Sequence, residues 1–136
     1  MSGKTIFIDT SGFLALLDAD DDFHVAAAKK WHLLFEERFE IVTTDYVRLE
    51  SWSLIQRRMG PRGVLTFQDD ILPICHIHFV NESGFQHAVT QWRIDCRKQL
   101  SLVDLTSFDC MRRLHIKEAL TFDRHFLEQG FQITTR

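Results

Sequence analysis

The apolar run Ile6-Phe7-Ile8 ends directly on Asp9, and helix-favouring residues, Phe13 to Leu17, follow almost at once. A short apolar run cut off by a helix start fits a strand buried on both faces of a parallel sheet. In such a sheet, a strand that ends on Asp delivers its charge to the crevice at the carboxyl edge, where ligands and metals bind. A single Asp there also serves as an ordinary helix cap. The two readings separate only if further acids arrive at matching places later in the chain.

The pattern that follows alternates helix and strand. Phe23, Ala27, Trp31, Leu34, Phe35 and Phe39 recur at helical spacing, so a helix is expected over about 23–39. Glu40 to Thr44 reads as a second strand, and Thr44 or Asp45 caps a helix carrying Leu49, Trp52, Ile55 and Met59 on one face. Gly60-Pro61 is a stop-and-restart signal inside that helical stretch. Pro73 ends it, and Ile74 to Val80 makes a third strand. Helices are expected up to Lys98 and from Asp104 to Leu114, then strands over Ala119 to Phe122 and Phe131 to Thr134. The alternation predicts an α/β three-layer sandwich with a four- or five-stranded, mostly parallel sheet. No repeat or linker interrupts residues 1–136, which are expected to form one domain.

Composition narrows the class. With 45% apolar and 26% charged residues the chain reads as soluble and globular. Twelve Phe against one Tyr suggest an aromatic core rather than a wet binding surface. No stretch approaches the ~20 apolar residues of a membrane span, and Met1-Ser2-Gly3-Lys4 leads straight into a strand without a signal peptide. A cytoplasmic protein without a membrane partner is expected. Cys75, Cys96 and Cys110 are odd in number and far apart, which suits buried, reduced thiols. The net charge of −3 argues against nucleic acid until the acids are placed; four of them gathered on a metal would leave the remainder at +1. Arginine groups (Arg57, Arg58 and Arg62; Arg93 and Arg97 with Lys98; Arg112 and Arg113 with Lys117) then become candidates for tracking a phosphate backbone.

The further acids do arrive. Glu50 leaves a largely apolar stretch of the third helix, beside Tyr46, Val47 and Leu54, where a charge is costly without a partner. Asp104 opens a helix just after Leu102-Val103, with Ser107 one turn on. Asp123 ends the strand Leu120-Thr121-Phe122, as Asp9 ends the first. Each has an ordinary explanation as a cap, a turn residue or a solvated helix position. Together, several carboxylates suit Mg²⁺ or Mn²⁺, and without a cation they would raise one another's pKa values.

These residues resemble the PIN-domain ribonucleases, and within them the VapC-like toxins. The resemblance spans essentially the whole chain. It rests on Phe7-Ile8-Asp9-Thr10-Ser11, Thr44-Asp45-Tyr46-Val47 leading to Glu50-Ser51-Trp52, Leu102-Val103-Asp104 with Ser107-Phe108, and the specific late block Thr121-Phe122-Asp123-Arg124-His125-Phe126. It implies an acidic quartet of Asp9, Glu50, Asp104 and Asp123, with Asp9, Asp104 and Asp123 holding Mg²⁺ or Mn²⁺. Thr10, Ser11, Ser107 and Thr121 fall where small polar residues flank such a site. Ser11, Ser107, Thr121 and Arg124 are the expected substrate contacts. It further implies hydrolysis of RNA, a small antitoxin protein as partner, and homodimerisation.

No Ser/His/Asp or Cys/His constellation is visible, so water rather than a protein side chain is the expected nucleophile. His76 and His78 share a strand face but lack the further ligands of a zinc site. A phosphoacceptor receiver domain needs adjacent acids after the first strand, whereas Asp9 stands alone. A stand-alone RNA-processing nuclease and a non-catalytic RNA- or protein-binding module stay open beside the toxin reading.

Overall fold

A computed structural model describes residues 4–97 and 99–135. The expected helix end at Lys98 and the opening residues Met1 to Gly3 lie outside the described residues. Among those described, five strands, β1 (Thr5–Ile8), β2 (Glu40–Thr44), β3 (His76–His78), β4 (Glu118–Leu120) and β5 (Gln132–Ile133), form one sheet in the order β3-β2-β1-β4-β5. Every pairing is parallel. Among the described residues six α-helices connect them: α1 (Thr10–Leu17), α2 (His24–Glu36), α3 (Asp45–Thr66), α4 (Glu82–Asp95), α5 (Leu102–Arg113) and α6 (Arg124–Glu128). The right-handed rule for parallel crossovers assigns α1 to α3 to one face and α4 to α6 to the other.

β1 is the centre of the sheet because Ile6, Phe7 and Ile8 are all completely buried. Phe7 meets Phe126 of α6, which packs edge-on against Phe108 of α5. Phe13 of α1 packs edge-on against Phe67, in a π-helical turn over Phe67–Ile71. The aromatic core expected from composition is therefore distributed over both faces.

From β1 the chain moves outward through β2 and β3, then returns to build β4 and β5 on the other side. The order reverses between β1 and β4, which opens a crevice at their carboxyl ends. Asp9 follows β1 and Asp123 follows β4, one on each side of that crevice.

Several local expectations change. β3 is only His76–His78, because Leu72–Ile74 form a 3₁₀ turn around Pro73. The break at Gly60-Pro61 is real: Gly60 sits at φ +70°, and the helix resumes beyond it. α5 starts at Leu102, capped by Ser101, so Asp104 is the third residue of its first turn rather than its opening residue. Leu49, read as part of the apolar face of α3, is 69% exposed. Cys110 is buried, but Cys96 is exposed at the left-handed end of α4. No helix among the described residues is long and apolar enough to cross a membrane.

Candidate active site

Asp9 is both a helix cap and a member of the candidate site. Its Oδ1 accepts from the Gly12 amide at 2.9 Å, which starts α1, and from the Ser11 hydroxyl at 2.8 Å. Its Oδ2 accepts from Thr121 Oγ1 at 2.8 Å, across the crevice. The Phe122 amide in turn donates to Ser11 Oγ at 2.9 Å, and the Asp123 amide donates to Thr121 Oγ1 at 3.1 Å. The ends of β1 and β4 are thus stitched together by two hydroxyls. Three of the roughly four lone-pair sites of the Asp9 carboxylate are occupied, and one is left for a ligand.

Glu50 reaches the same edge from α3. Thr10 Oγ1 donates to Glu50 Oε1 at 2.8 Å and accepts from Ser51 Oγ at 3.1 Å. Asp104 belongs to a capping box with Ser101, a weak arrangement on its own side because the Ser101 amide is 3.4 Å from Oδ2. Asp123 caps α6 through the His125 amide at 2.9 Å.

The charges of these groups are coupled. Burial pushes the Asp9 carboxyl up to about 7, against the lowering effect of the Gly12, Thr121 and Ser11 bonds, and the Asp104 charge adds to the rise. Asp104 rises to about 6, first through burial and then through the Asp123 charge, with Glu50 adding a smaller share. Asp104 is the common neighbour of the other three acids, so the structure brings all four predicted acids into one electrostatic unit.

Both raised carboxyls bind protons more tightly in the folded than in the unfolded chain. Their cost to the metal-free fold is absent below about pH 4, grows as pH rises, and is complete above about 7. In EDTA the melting temperature is expected to fall between pH 5 and pH 8. A flat profile in circular dichroism melts would show that these carboxyls are neither buried nor crowded.

His125 enters the site without having been singled out in the sequence. Asp104, Asp123 and His125 each bring one potential ligand atom within 4.8 Å of the others. His125 Nδ1 lies 2.9 Å from Asp123 Oδ1, yet it lacks the alignment of a hydrogen bond and is buried without a partner. Its sequence signals were its membership of the late block Thr121 to Phe126 and its place two residues after Asp123, in the first turn of α6.

The expected flanking residues divide. Ser11 and Thr121 join Asp9, but Ser107 is buried and donates to Val103 O of its own helix at 3.0 Å. Arg124 is exposed and makes no salt bridge among the described residues. Of the basic groups, Arg58 is spent on Asp18 and Asp21, Arg97 on Glu128 and Arg113 on Asp109. Arg57, Arg62 and Arg93 make no such pair among the described residues.

Comparison with known proteins agrees with this architecture. The PIN domain family profile matches residues 6–132. VapC20 of Mycobacterium tuberculosis, named a 23S rRNA-specific endonuclease, is 30% identical over 128 residues, covering 93% of this chain and 95% of the relative. The crystal structure of VapC20, described as a Sarcin-Ricin loop cleaving toxin, matches with a TM-score of 0.78 and 32% identity over 93% of this chain and 95% of that one. VapBC2 from Rickettsia felis, bound to a DNA fragment from their promoter, shares the fold at TM-score 0.70 and 11% identity, over 95% of this chain and 96% of that one. FitAcB from Neisseria gonorrhoeae does so at TM-score 0.69 and 12% identity, over 96% of each chain. With a profile match across nearly its whole length, this chain belongs to the PIN domain family.

Proposed function

We propose that this chain is a metal-dependent endoribonuclease of the toxin type, which hydrolyses RNA phosphodiester bonds at the crevice between β1 and β4. The observation that carries the reading is the convergence of Asp9, Glu50, Asp104 and Asp123, with two carboxyls raised to about 7 and about 6 by burial and mutual repulsion. Such crowding suits a hard divalent cation, Mg²⁺ or Mn²⁺. Asp104 and Asp123 would hold it, with Asp9 offering its one open lone-pair site. When bound, the cation supplies Lewis acidity and a lowered pKa for water.

The chain's own groups do the rest. Ser11 and Thr121 fix the Asp9 carboxylate, so its free lone pair keeps one direction. Thr10 holds Glu50, which would orient the attacking water and take its proton. Thr121 and Ser107 are buried, so both support the protein rather than touch substrate as expected from the sequence. Arg124, exposed beside Asp123, is the substrate contact.

The likeness to VapC20 makes 23S rRNA the first substrate to offer, and a small antitoxin the partner to seek. Three free cysteines suit a reducing, cytoplasmic setting, and we carry homodimerisation as part of the same reading. Labelled RNA incubated with Mn²⁺ should be cut by the wild-type chain, and EDTA or Asp104→Asn should remove at least 99% of the cleavage. Equal cleavage by the variant and the wild type would sink the assignment.

A further inference from the structure

Beside the acids, on the β5 side of the same carboxyl edge, lies a cleft lined by Phe23, Phe122, Arg124, Ile133, Thr134 and Thr135. We infer that it is a nucleobase subsite, holding the base of an RNA nucleotide next to the bond that is cut. The inference rests on the ribonuclease reading and adds to it where the substrate lies.

Four observations converge. Phe23 and Phe122 are stacked, with centroids 4.6 Å apart and planes 11° from parallel, and both rings are partly exposed. An aromatic lining suits a base, because every base presents a π face whatever its sequence. The Phe122 ring is one residue from Asp123, and its own amide is bonded to Ser11 of the Asp9 network. A base against that wall therefore lies beside the acids, not at a remote surface. Arg124 makes no salt bridge among the described residues, and its planar guanidinium is free to stack on a base or to reach its phosphate. Thr134 Oγ1 is buried without a hydrogen-bond partner, which is costly unless a ligand supplies one.

Charge decides which part of the nucleotide fits. Phe23 follows Asp20-Asp21-Asp22, of which, among the described residues, only Asp21 pairs with an arginine, Arg58. Acids on that flank repel a phosphate but tolerate a neutral base. An aromatic pair sealing the core edge accounts for the stacking alone, but not for the unpaired arginine and the unpartnered hydroxyl on the same wall.

The test uses the full chain and short RNAs carrying 2-aminopurine, or an abasic nucleotide, at each position in turn. Wild-type protein should quench 2-aminopurine at one position, and an abasic nucleotide there should lower kcat/KM about tenfold. Phe122→Leu keeps apolar volume but removes the π face; it should lose the quench and become insensitive to the abasic position. Phe122→Trp should restore both, and Arg124→Gln should weaken RNA binding about tenfold without loss of fold. If Phe122→Leu melts early, Arg124→Gln, altered at an exposed position, carries the test alone. Unchanged quenching in Phe122→Leu, or unchanged RNA affinity in Arg124→Gln where that variant stands alone, overturns the subsite. Position-specific quenching without cleavage would keep the subsite and remove the nuclease reading. Neither binding nor cleavage of RNA removes both.

Discussion

Asp9→Asn is expected to silence cleavage and, in the same protein, to raise the melting temperature of the metal-free chain at pH 8. The activity loss follows from the one open lone-pair site of the carboxylate, which is lost when Oδ2 becomes an NH₂ group. Removing one charge aimed at the cation is worth several kcal/mol in the transition state, or about 10³-fold in rate. The stability gain has a separate origin. Asp9 is 5% exposed, and its carboxyl is raised from 3.8 to about 7. Ionising it at pH 8 therefore costs the fold on the order of 4 kcal/mol relative to an unshifted group. Asn carries no such cost and still accepts from the Gly12 amide as a cap. The Asn NH₂ group can donate to Thr121 Oγ1, although that hydroxyl must then turn away. Below about pH 4, where Asp9 is protonated in the folded and the unfolded chain alike, the two proteins should melt alike. Melting below wild type at both pH values would make Asp9 chiefly a structural cap. Retention of a tenth of the cleavage would take it out of the chemistry.

That pair of opposite effects also explains what was legible in the sequence. Strand ends are local: Ile6-Phe7-Ile8 into Asp9, and Leu120-Thr121-Phe122 into Asp123, announce both charge and position, because period and polarity change at one residue. Helix interiors are harder to read. Glu50 was readable as a misfit on an apolar stretch, but the same stretch misplaced Leu49, which is 69% exposed. The buried face of α3 runs through Val47, Ser51 and Ile55 at four-residue spacing, and Leu49, two residues on from Val47, falls off that face. The hydroxyl network was legible as residue types and not as roles. Ser107 and Thr121 look equivalent beside their acids, yet one bonds its own helix and the other bonds Asp9 across 112 positions of chain. The role of His125 was silent because its contact with Asp123 depends on a side-chain direction that spacing does not reveal. The Phe23–Phe122 stack joins residues distant in sequence, and no periodicity connects them.

The largest expected loss of stability comes from Gly12→Ala, a substitution that an isolated helix would welcome. In a solvated helix Ala is better than Gly by about 1 kcal/mol. In this fold, a Cβ at position 12 would lie 2.2 Å from the Leu120 carbonyl oxygen, and 3.0 Å from both Ile8 Cγ1 and Leu120 Cδ2. The carbonyl belongs to the backbone of β4 and cannot rotate aside, so α1 must lift off the sheet. Overpacking of this kind costs about 3 kcal/mol or more, which outweighs the propensity gain and lowers the melting temperature by roughly 10 °C. The lift also strains the Gly12 amide bond to Asp9 and the Ser11 bond to Phe122, both of which set the crevice. Cleavage should therefore fall well below wild type even at temperatures where the variant stays folded. Gly12→Ser, which adds the same Cβ, should behave alike. A Gly12→Ala protein that melts with the wild type would mean that α1 does not rest against β4 at this distance, and the close seating of Asp9 over the crevice would fail with it.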